Sequence, residues 1–210
     1  MKVLKLLFPA AILFLFISCF GISTNIVINQ NGSGTISIEY RISNTLDSIG
    51  RLDGNQRWNT IPVGRADFER TVSRLNDIRL LSFNTREDAN DVYFSLRLEF
   101  SSIQGLLSFM DAYGQMSIFN EVNNVKTLTF ILNEGSDINN PSLEQLLSRI
   151  SDGYEISYII NFPGEGRLSI KDRTGNIIAP LSNGRSASAS FSLYDVLTSR
   201  SGLNLEFSWQ

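Results

Sequence analysis

The sequence of 210 residues contains no histidine and a single cysteine, and these two shortages exclude several kinds of chemistry. Without histidine there is no Ser-His-Asp or Cys-His nucleophile system, no imidazole base and no zinc site built on imidazole. One cysteine excludes a disulfide within the chain, a CxxC redox pair and a four-cysteine metal site. We therefore expect a protein that is not an enzyme and that holds neither a metal ion nor a cofactor.

Charge is also scarce, since 19% of the residues are charged and the formal net charge is −3. The basic residues are mostly Arg, and they are scattered singly along the chain rather than clustered. This distribution argues against binding to nucleic acid and against a polybasic contact with anionic lipid. Hydrophobic residues make up 42% of the chain, which suffices for the core of one domain.

The N-terminus has the composition of an export signal. Lys2 and Lys5 precede an uninterrupted non-polar run from Leu6 to Ile17. As a helix this run reaches about 18 Å, well short of a hydrocarbon core of roughly 30 Å. A charged start followed by such a run indicates a signal peptide over residues 1–18 rather than a transmembrane helix.

The cysteine directly follows this run, in the sequence Leu15-Phe16-Ile17-Ser18-Cys19. The segment resembles the relaxed lipobox of spirochaetal lipoproteins, in which a peptidase cuts before the cysteine and the sulfur carries a diacylglycerol. The resemblance implies that Cys19 is the lipidated first residue of the mature chain, with a short tether over residues 19–23. Gly21 and Ser23 form a small-x-small site for ordinary signal peptidase, so secretion without lipid is the alternative.

Residues 24–210 show no linker-like break and are predicted to form one α+β domain. Thr24–Gln30 and Thr35–Ser43 flank an Asn-Gly turn, a pattern typical of a β-hairpin. Further along, apolar residues recur at helical spacing in three places, and each set predicts a helix followed by strands. The three sets are Phe68, Val72 and Leu75; Ile103, Leu106, Leu107 and Met110; and Leu143, Leu146, Leu147 and Ile150.

The three stripes superpose at offsets of 35 and 40 residues, which predicts a triplicated helix-hairpin unit. The alternative is the recurrence of a common pattern without common descent. The second strand of each unit is expected at Asp91–Phe100, Val125–Asn133 and Gly166–Asp172, with further strands at Asn176–Pro180, Ser186–Ser192 and Leu203–Gln210. The expected fold is a long, mostly antiparallel sheet with about three helices packed on one face.

Two features are candidate ligand contacts. Ala187 and Ala189 are small residues on the inner face of a predicted strand, where the space beside them takes either a closely packed helix or a ligand. Trp58 lies among polar loop residues and is a candidate for an exposed, adhesive side chain, the alternative being a position over the core edge.

Carboxylates are the only acid/base groups that the sequence offers in pairs. The pairs lie in polar, solvated contexts without an apolar pocket, so a carboxylate-dependent hydrolase is the least favoured function. They are Asp67/Glu69, Asp88/Asp91 and Glu155/Glu165.

The order of cysteine, apolar strand Ile26-Val27-Ile28, turn Asn31-Gly32-Ser33-Gly34 and helix-hairpin units resembles the LppM-type lipoprotein domain and many spirochaetal lipoproteins. The resemblance implies an α+β domain held at a bacterial membrane, in contact with lipid or glycolipid. We therefore expect a non-enzymatic lipoprotein of the cell envelope, anchored on the periplasmic face or at the cell surface, whose domain binds an apolar or lipid ligand. The alternative is a structural or protein-interaction module of the envelope without a small ligand.

Overall fold

A computed structural model describes residues 20–43, 65–111 and 114–210 of the chain. Nine strands and four short helices occur within these ranges. In chain order they are β1 (Phe20–Ile28), β2 (Gly34–Ser43), α1 (Arg65–Val72), β3 (Ile78–Glu87), β4 (Asp91–Phe100), α2 (Ile103–Met110), β5 (Ser117–Val122), β6 (Val125–Asn133), α3 (Pro141–Ile150), β7 (Glu155–Lys171), β8 (Ile177–Ser192), α4 (Leu193–Thr198) and β9 (Leu203–Trp209).

The strands form one mixed sheet in the order β3-β4-β2-β1-β7-β9-β6-β5, with β8 also paired to β7. Among the described strand pairs only β1 and β7 run parallel. The expected mostly antiparallel sheet is therefore confirmed. The local pattern explains β9, which alternates strictly between buried and half-buried residues, as a strand with one face on the core does.

The long strand β7 is shared by two parts of the sheet. Its first part pairs with β1 and with the end of β8, through residues such as Ile160. After an interruption between Asn161 and Gly166, its second part pairs with β9 and with the start of β8. The sheet curls at this interruption into a half-barrel. Aromatic rings of different strands meet inside it: the ring of Phe130 on β6 stacks on that of Tyr158 on β7, with 5.3 Å between the ring centroids.

Glycine is required where the strand bends. A Cβ atom at Gly166 would lie 2.2 Å from the ring of Phe162, which is itself 6% exposed. The ring can take its buried place only because residue 166 has no side chain. Phe162 then packs against Phe207 and Trp209 of β9, which fixes the second part of the sheet over the first.

The helices bury the predicted stripes, but not in the expected arrangement. Phe68 and Val72 of α1, and Ile103, Leu106 and Leu107 of α2, lie in the core, while Leu147 is buried on α3 and Leu146 is 40% exposed. Asn140 caps α3 by accepting hydrogen bonds from the backbone N–H groups of Ser142 and Leu143. Four short helices are present in the described ranges, and they are not gathered on one face of the sheet.

A helix followed by two antiparallel strands occurs three times, as expected, but the three units are not arranged as repeats in the sheet. Hairpins β3–β4 and β5–β6 do follow α1 and α2, but they lie at opposite edges of the sheet. The third unit departs from this plan because β7 has 17 residues and β8 has 16, and the two form the centre of the half-barrel. The strands expected separately at Gly166–Asp172, Asn176–Pro180 and Ser186–Ser192 are therefore parts of β7 and β8.

The boundary of the domain also differs from the expected one. Residues 20–23, expected as a tether, belong to β1: Phe20 pairs with Ile42, and Ile22 pairs with both Tyr40 and Ile156. Pairing on two sides makes this segment an interior strand of the sheet rather than a spacer. The hairpin itself, closed by a turn over residues 29–33, is confirmed.

Candidate functional site

The inner face of the half-barrel changes from closed to open along β1. Cross-strand partners share a face, so the register places Ile26, Ile160 and Ala187 in one inner row, and all three are buried. Two rows nearer the start of β1 the partners are Ile22, Ile156 and Phe191, and these are only half-buried. On the side of β7 and β8 the core is thus buried at its centre and half-covered at the end where β1 begins, whereas Tyr40, the partner of Ile22 on β2, is buried.

The row between them combines hydroxyl groups with a small residue. Thr24 and Tyr158 are partners across β1 and β7, and Tyr158 and Ala189 are partners across β7 and β8. Thr24 is 2% exposed and Ala189 is 7% exposed, whereas Tyr158 is half-buried. We call the half-buried inner side chains of these two rows the inner mouth; its members are Ile22, Ile38, Ile156, Tyr158 and Phe191.

Tyr158 is the polar group of the inner mouth. Its ring stacks on Phe130, and burial raises the pKa of its phenol to about 12. The hydroxyl makes no hydrogen bond to any of the described residues. The hydroxyl oxygen keeps contact with solvent, because among the described residues the fully buried side-chain atoms without a hydrogen-bond partner do not include it. The group is therefore available to a polar atom of a ligand or to water.

The residues singled out in the sequence fall into two groups. Ala187 and Ala189 are 3% and 7% exposed, lie on the inner face as expected, and belong to the same buried core cluster as Val196 of α4. Ala189 lies next to Tyr158 and so adjoins the inner mouth. Cys19 and Trp58 lie outside the described residues.

A buried polar cluster lies at the same end of the sheet. Asp91, 7% exposed, accepts a hydrogen bond from the hydroxyl of Tyr154 at 3.0 Å and lies 3.6 Å from the guanidinium of Arg41. That guanidinium also covers the ring of Tyr154 at 4.4 Å and donates to the backbone carbonyl of Gly153. The cluster joins β2, β4 and the turn before β7, so it fixes the geometry of the open end. No local signal in the sequence marks it, because its members are far apart along the chain.

Two grooves open on the surface of the described residues. One, of about 280 Å³, lies beside the cluster and is lined by Glu39, Arg41 and Glu155 among others. A second, of about 550 Å³, lies at the far end of β7 near Glu165 and Arg167. Neither includes Ala187, Ala189 or Tyr158, but the first is also lined by Ile22 of the inner mouth.

The paired carboxylates do not share a site where the structure describes them. Asp88 is exposed and caps its own turn, accepting the backbone N–H groups of Asn90 and Asp91, whereas Asp91 is buried in the cluster. Glu155 accepts a hydrogen bond from Ser190, and Glu69 pairs with Arg65. Among the described residues no group of three His, Cys, Asp or Glu side chains is placed to hold a metal ion.

The fold and the inner mouth define a class of small α+β domain built on a curled sheet with an apolar interior open at one end. No helix within the described ranges combines the length and apolar character needed to span a bilayer. No protein-family model matches the chain, and no curated protein matches it.

Among solved structures, the chain is similar to the folded domain of the Mycobacterium tuberculosis LppM protein, determined by NMR. The identity is 12% and the TM-score 0.44, with 91% of this chain and 90% of that chain covered. The likeness extends over most of both chains. It transfers no residue and no activity.

Proposed function

We propose that the protein is an exported, membrane-anchored lipoprotein of the cell envelope whose half-barrel binds an apolar or lipid ligand in the inner mouth. The observation that carries the proposal is the half-buried row Ile22, Ile156 and Phe191 beside the unpaired hydroxyl of Tyr158. An apolar ligand bearing one polar group fits such a surface, because its hydrocarbon part covers the isoleucines while its polar atom bonds the phenol.

Nothing in this proposal requires a reaction. The buried carboxylate at this end, Asp91, accepts a hydrogen bond from Tyr154 and pairs with Arg41. Of the other paired carboxylates, Asp88 stabilises its own turn and Glu155 makes a surface hydrogen bond. We therefore retain a binding function rather than catalysis as the role of the domain.

The binding part of the proposal is tested by native mass spectrometry. The chain from Phe20 onward, which keeps every described helix and strand, is purified from a bacterial host without detergent. We expect a retained mass of lipid size that organic extraction removes. A bare mass together with no uptake of added fatty acid or phospholipid would refute binding in the inner mouth.

A substitution locates the ligand. Tyr158→Phe removes the hydroxyl and keeps the ring on Phe130, so we expect retention of the ligand to fall several-fold with the fold intact. The matched control is Tyr194→Phe, since Tyr194 bonds Glu144 on the surface, away from the inner mouth. Equal retention by both variants would show that the phenol of Tyr158 takes no part in binding.

The anchoring part of the proposal rests on Cys19. Cys19→Ala should release the full chain from the membrane fraction, because at ~0.8 kcal/mol per buried CH2 two or more acyl chains hold a protein lastingly. Unchanged membrane retention would refute the anchor, and secretion without lipid would then replace it.

A second candidate function is supported by the edge strand β5. Among the described strands it pairs with β6 alone, and Ile118 and Val122 are 46% and 65% exposed on it, with Met116 just before it at 44%. Exposed apolar side chains on an unpaired edge are typical of a surface that meets another protein. Cross-linking from Ile118→Cys in intact envelopes tests this candidate; a specific heteromeric product would favour it, and a monomeric chain would not.

A further inference from the structure

The chain leaves no spacer between the proposed anchor and the folded sheet. β1 begins at Phe20, the residue after Cys19, and its register with β2 and β7 holds from Phe20 and Ile22 onward. Neighbouring Cα atoms are about 3.8 Å apart, so a lipid on Cys19 brings the start of β1 to the bilayer surface. This step rests on the proposed function, because it takes Cys19 to be lipidated.

The register shows which parts of the domain arrive there with β1. Phe20 is level with Ile42 of β2 and Val92 of β4, so the turn that links β3 to β4 extends past it. On the other side Ile22 is level with Ile156, so the turn that precedes β7 also extends past Phe20. Both turns therefore extend beyond the level of Phe20, where the described part of β1 begins.

The inner mouth opens at this same end. Ile22, Ile156 and Phe191 form the half-buried row closest to the start of β1, whereas the rows toward the other end of β1 are buried. The opposite end of the β1–β2 hairpin is the turn over residues 29–33. At ~3.3 Å per residue the strand of nine residues places that turn about 30 Å away.

Electrostatic attraction to anionic lipid is not what brings this end to the membrane. Asp88 and Asp152 are exposed in the two turns, and Arg41 is taken up by Asp91 and Gly153. Contact is therefore expected to depend on the acyl chains and apolar side chains, and to be insensitive to salt.

We propose that the half-barrel lies end-on against the lipid bilayer, with the turns over residues 88–91 and 151–154 and the inner mouth at the membrane surface. In this orientation a lipid passes between the bilayer and the inner mouth without the domain leaving the membrane. The absence of a spacer fixes the orientation, because one peptide unit does not allow the domain to turn over.

The test uses the lipidated full chain in phosphatidylcholine vesicles that contain a nitroxide-labelled headgroup lipid. The chain has one cysteine, which lipidation occupies, so an introduced cysteine takes a single fluorescent label. Ala89→Cys and Asp152→Cys place the label in the two turns at exposed positions, and the matched control Gln30→Cys places it in the exposed turn at the other end of the hairpin. We expect severalfold stronger quenching at positions 89 and 152 than at 30, at low and at high salt.

Equal quenching at the three positions, or stronger quenching at 30, would overturn the proposed orientation. Insertion of a flexible Gly-Ser segment of ~12 residues between Cys19 and Phe20 allows the domain to move by about 20 Å and should remove the difference. A difference that survives the insertion would overturn the argument from the missing spacer.

The failure of the orientation is distinguishable from the failure of the proposed function. The mass of the N-terminal peptide shows directly whether Cys19 carries lipid. An unlipidated peptide refutes the anchor, whereas even quenching of a lipidated, vesicle-bound chain refutes the orientation alone.

Discussion

The cluster around Asp91 gives the sharpest test of how the open end is held together. Asp91→Ala removes a carboxylate that accepts a hydrogen bond from Tyr154 and faces the guanidinium of Arg41. The side chains of Arg41 and Asp91 are 32% and 11% exposed, so the change leaves a partly buried cation and a phenol without their partner. We expect the domain to lose stability through these two contacts.

The magnitude follows from the two contacts. A hydrogen bond to a charged group contributes roughly 1.5–3 kcal/mol, and a partly exposed ion pair about 0.5–1 kcal/mol. Asp91→Ala should therefore lower the free energy of unfolding by about 2–4 kcal/mol. For a domain of this size that corresponds to a melting temperature lower by roughly 5–15 °C.

A double-mutant cycle isolates the hydrogen bond. Asp91→Ala and Tyr154→Phe, alone and together, are compared by urea denaturation, and a coupling free energy of about 1–2 kcal/mol is expected because the two groups contact each other directly. The control is Asp152→Ala, an exposed carboxylate in the neighbouring turn, for which a change within about 0.5 kcal/mol is expected. A loss below 1 kcal/mol for Asp91→Ala, or additive effects in the cycle, would refute the reasoning.

Three further predictions concern the fold. Leu147→Ala should lower the free energy of unfolding by ~2–5 kcal/mol, because the side chain is 5% exposed, and an unchanged melting curve would contradict its burial on α3. Gly34→Ala should lower the free energy of unfolding by at least ~2 kcal/mol, since its Cβ would lie 1.9 Å from the carbonyl oxygen of Val27. The control Ser37→Ala on the same strand should change the free energy of unfolding little, and equal effects of the two changes would contradict the close approach. The hydroxyl of Thr174 and nearby N–H groups lower the pKa of Asp172 to about 2. The ionised carboxylate therefore stabilises the folded chain fully above the unfolded pKa of ~3.9, and this contribution is lost as the pH falls through the folded pKa. Asp172→Asn should remove this acid-side dependence in pH-dependent denaturation, and an unchanged profile would refute it.

Local sequence patterns predict the strands well where a single face of each strand meets the core. Asp91–Phe100 and Val125–Asn133 were expected as strands, and β4 and β6 have these bounds. In β9 the alternation from Leu203 to Trp209 specifies which side chains lie inward, and those side chains are buried. Such patterns depend only on neighbours two positions apart, which the sequence displays directly.

The shared strand β7 could not be predicted from the same kind of pattern. Pro163 and Gly164 interrupt the pairing between Asn161 and Gly166, and in the sequence they indicate a turn between two strands. Yet β8 continues beside both parts, so the break bends one strand instead of ending it. Which partner lies beside each half is decided by β1 and β9, and the pairing of β7 with β1 joins residues more than a hundred positions apart.

The candidate site was predictable only in part for a similar reason. Alternation along Ser186–Ser192 places Ala187 and Ala189 on the inner face, and they lie there. Tyr158, the cross-strand partner of Ala189, lies on β7. Only the folded structure shows that its hydroxyl bonds none of the described residues. The sequence shows that space exists beside the alanines but not which group faces it.

The hydroxyl of Tyr158 separates the two interpretations of that space. If α4 only packed over Ala187 and Ala189, an apolar ring at position 158 would serve the core as well as a phenol, because the hydroxyl of Tyr158 bonds none of the described residues. Tyr158→Phe in the ligand-free chain should then preserve or raise stability, by up to about 1 kcal/mol. The same change should weaken binding if a ligand supplies the missing partner. Opposite effects on stability and on ligand retention are what binding in the inner mouth requires, and preserved or raised stability without loss of retention would assign Tyr158 to packing alone.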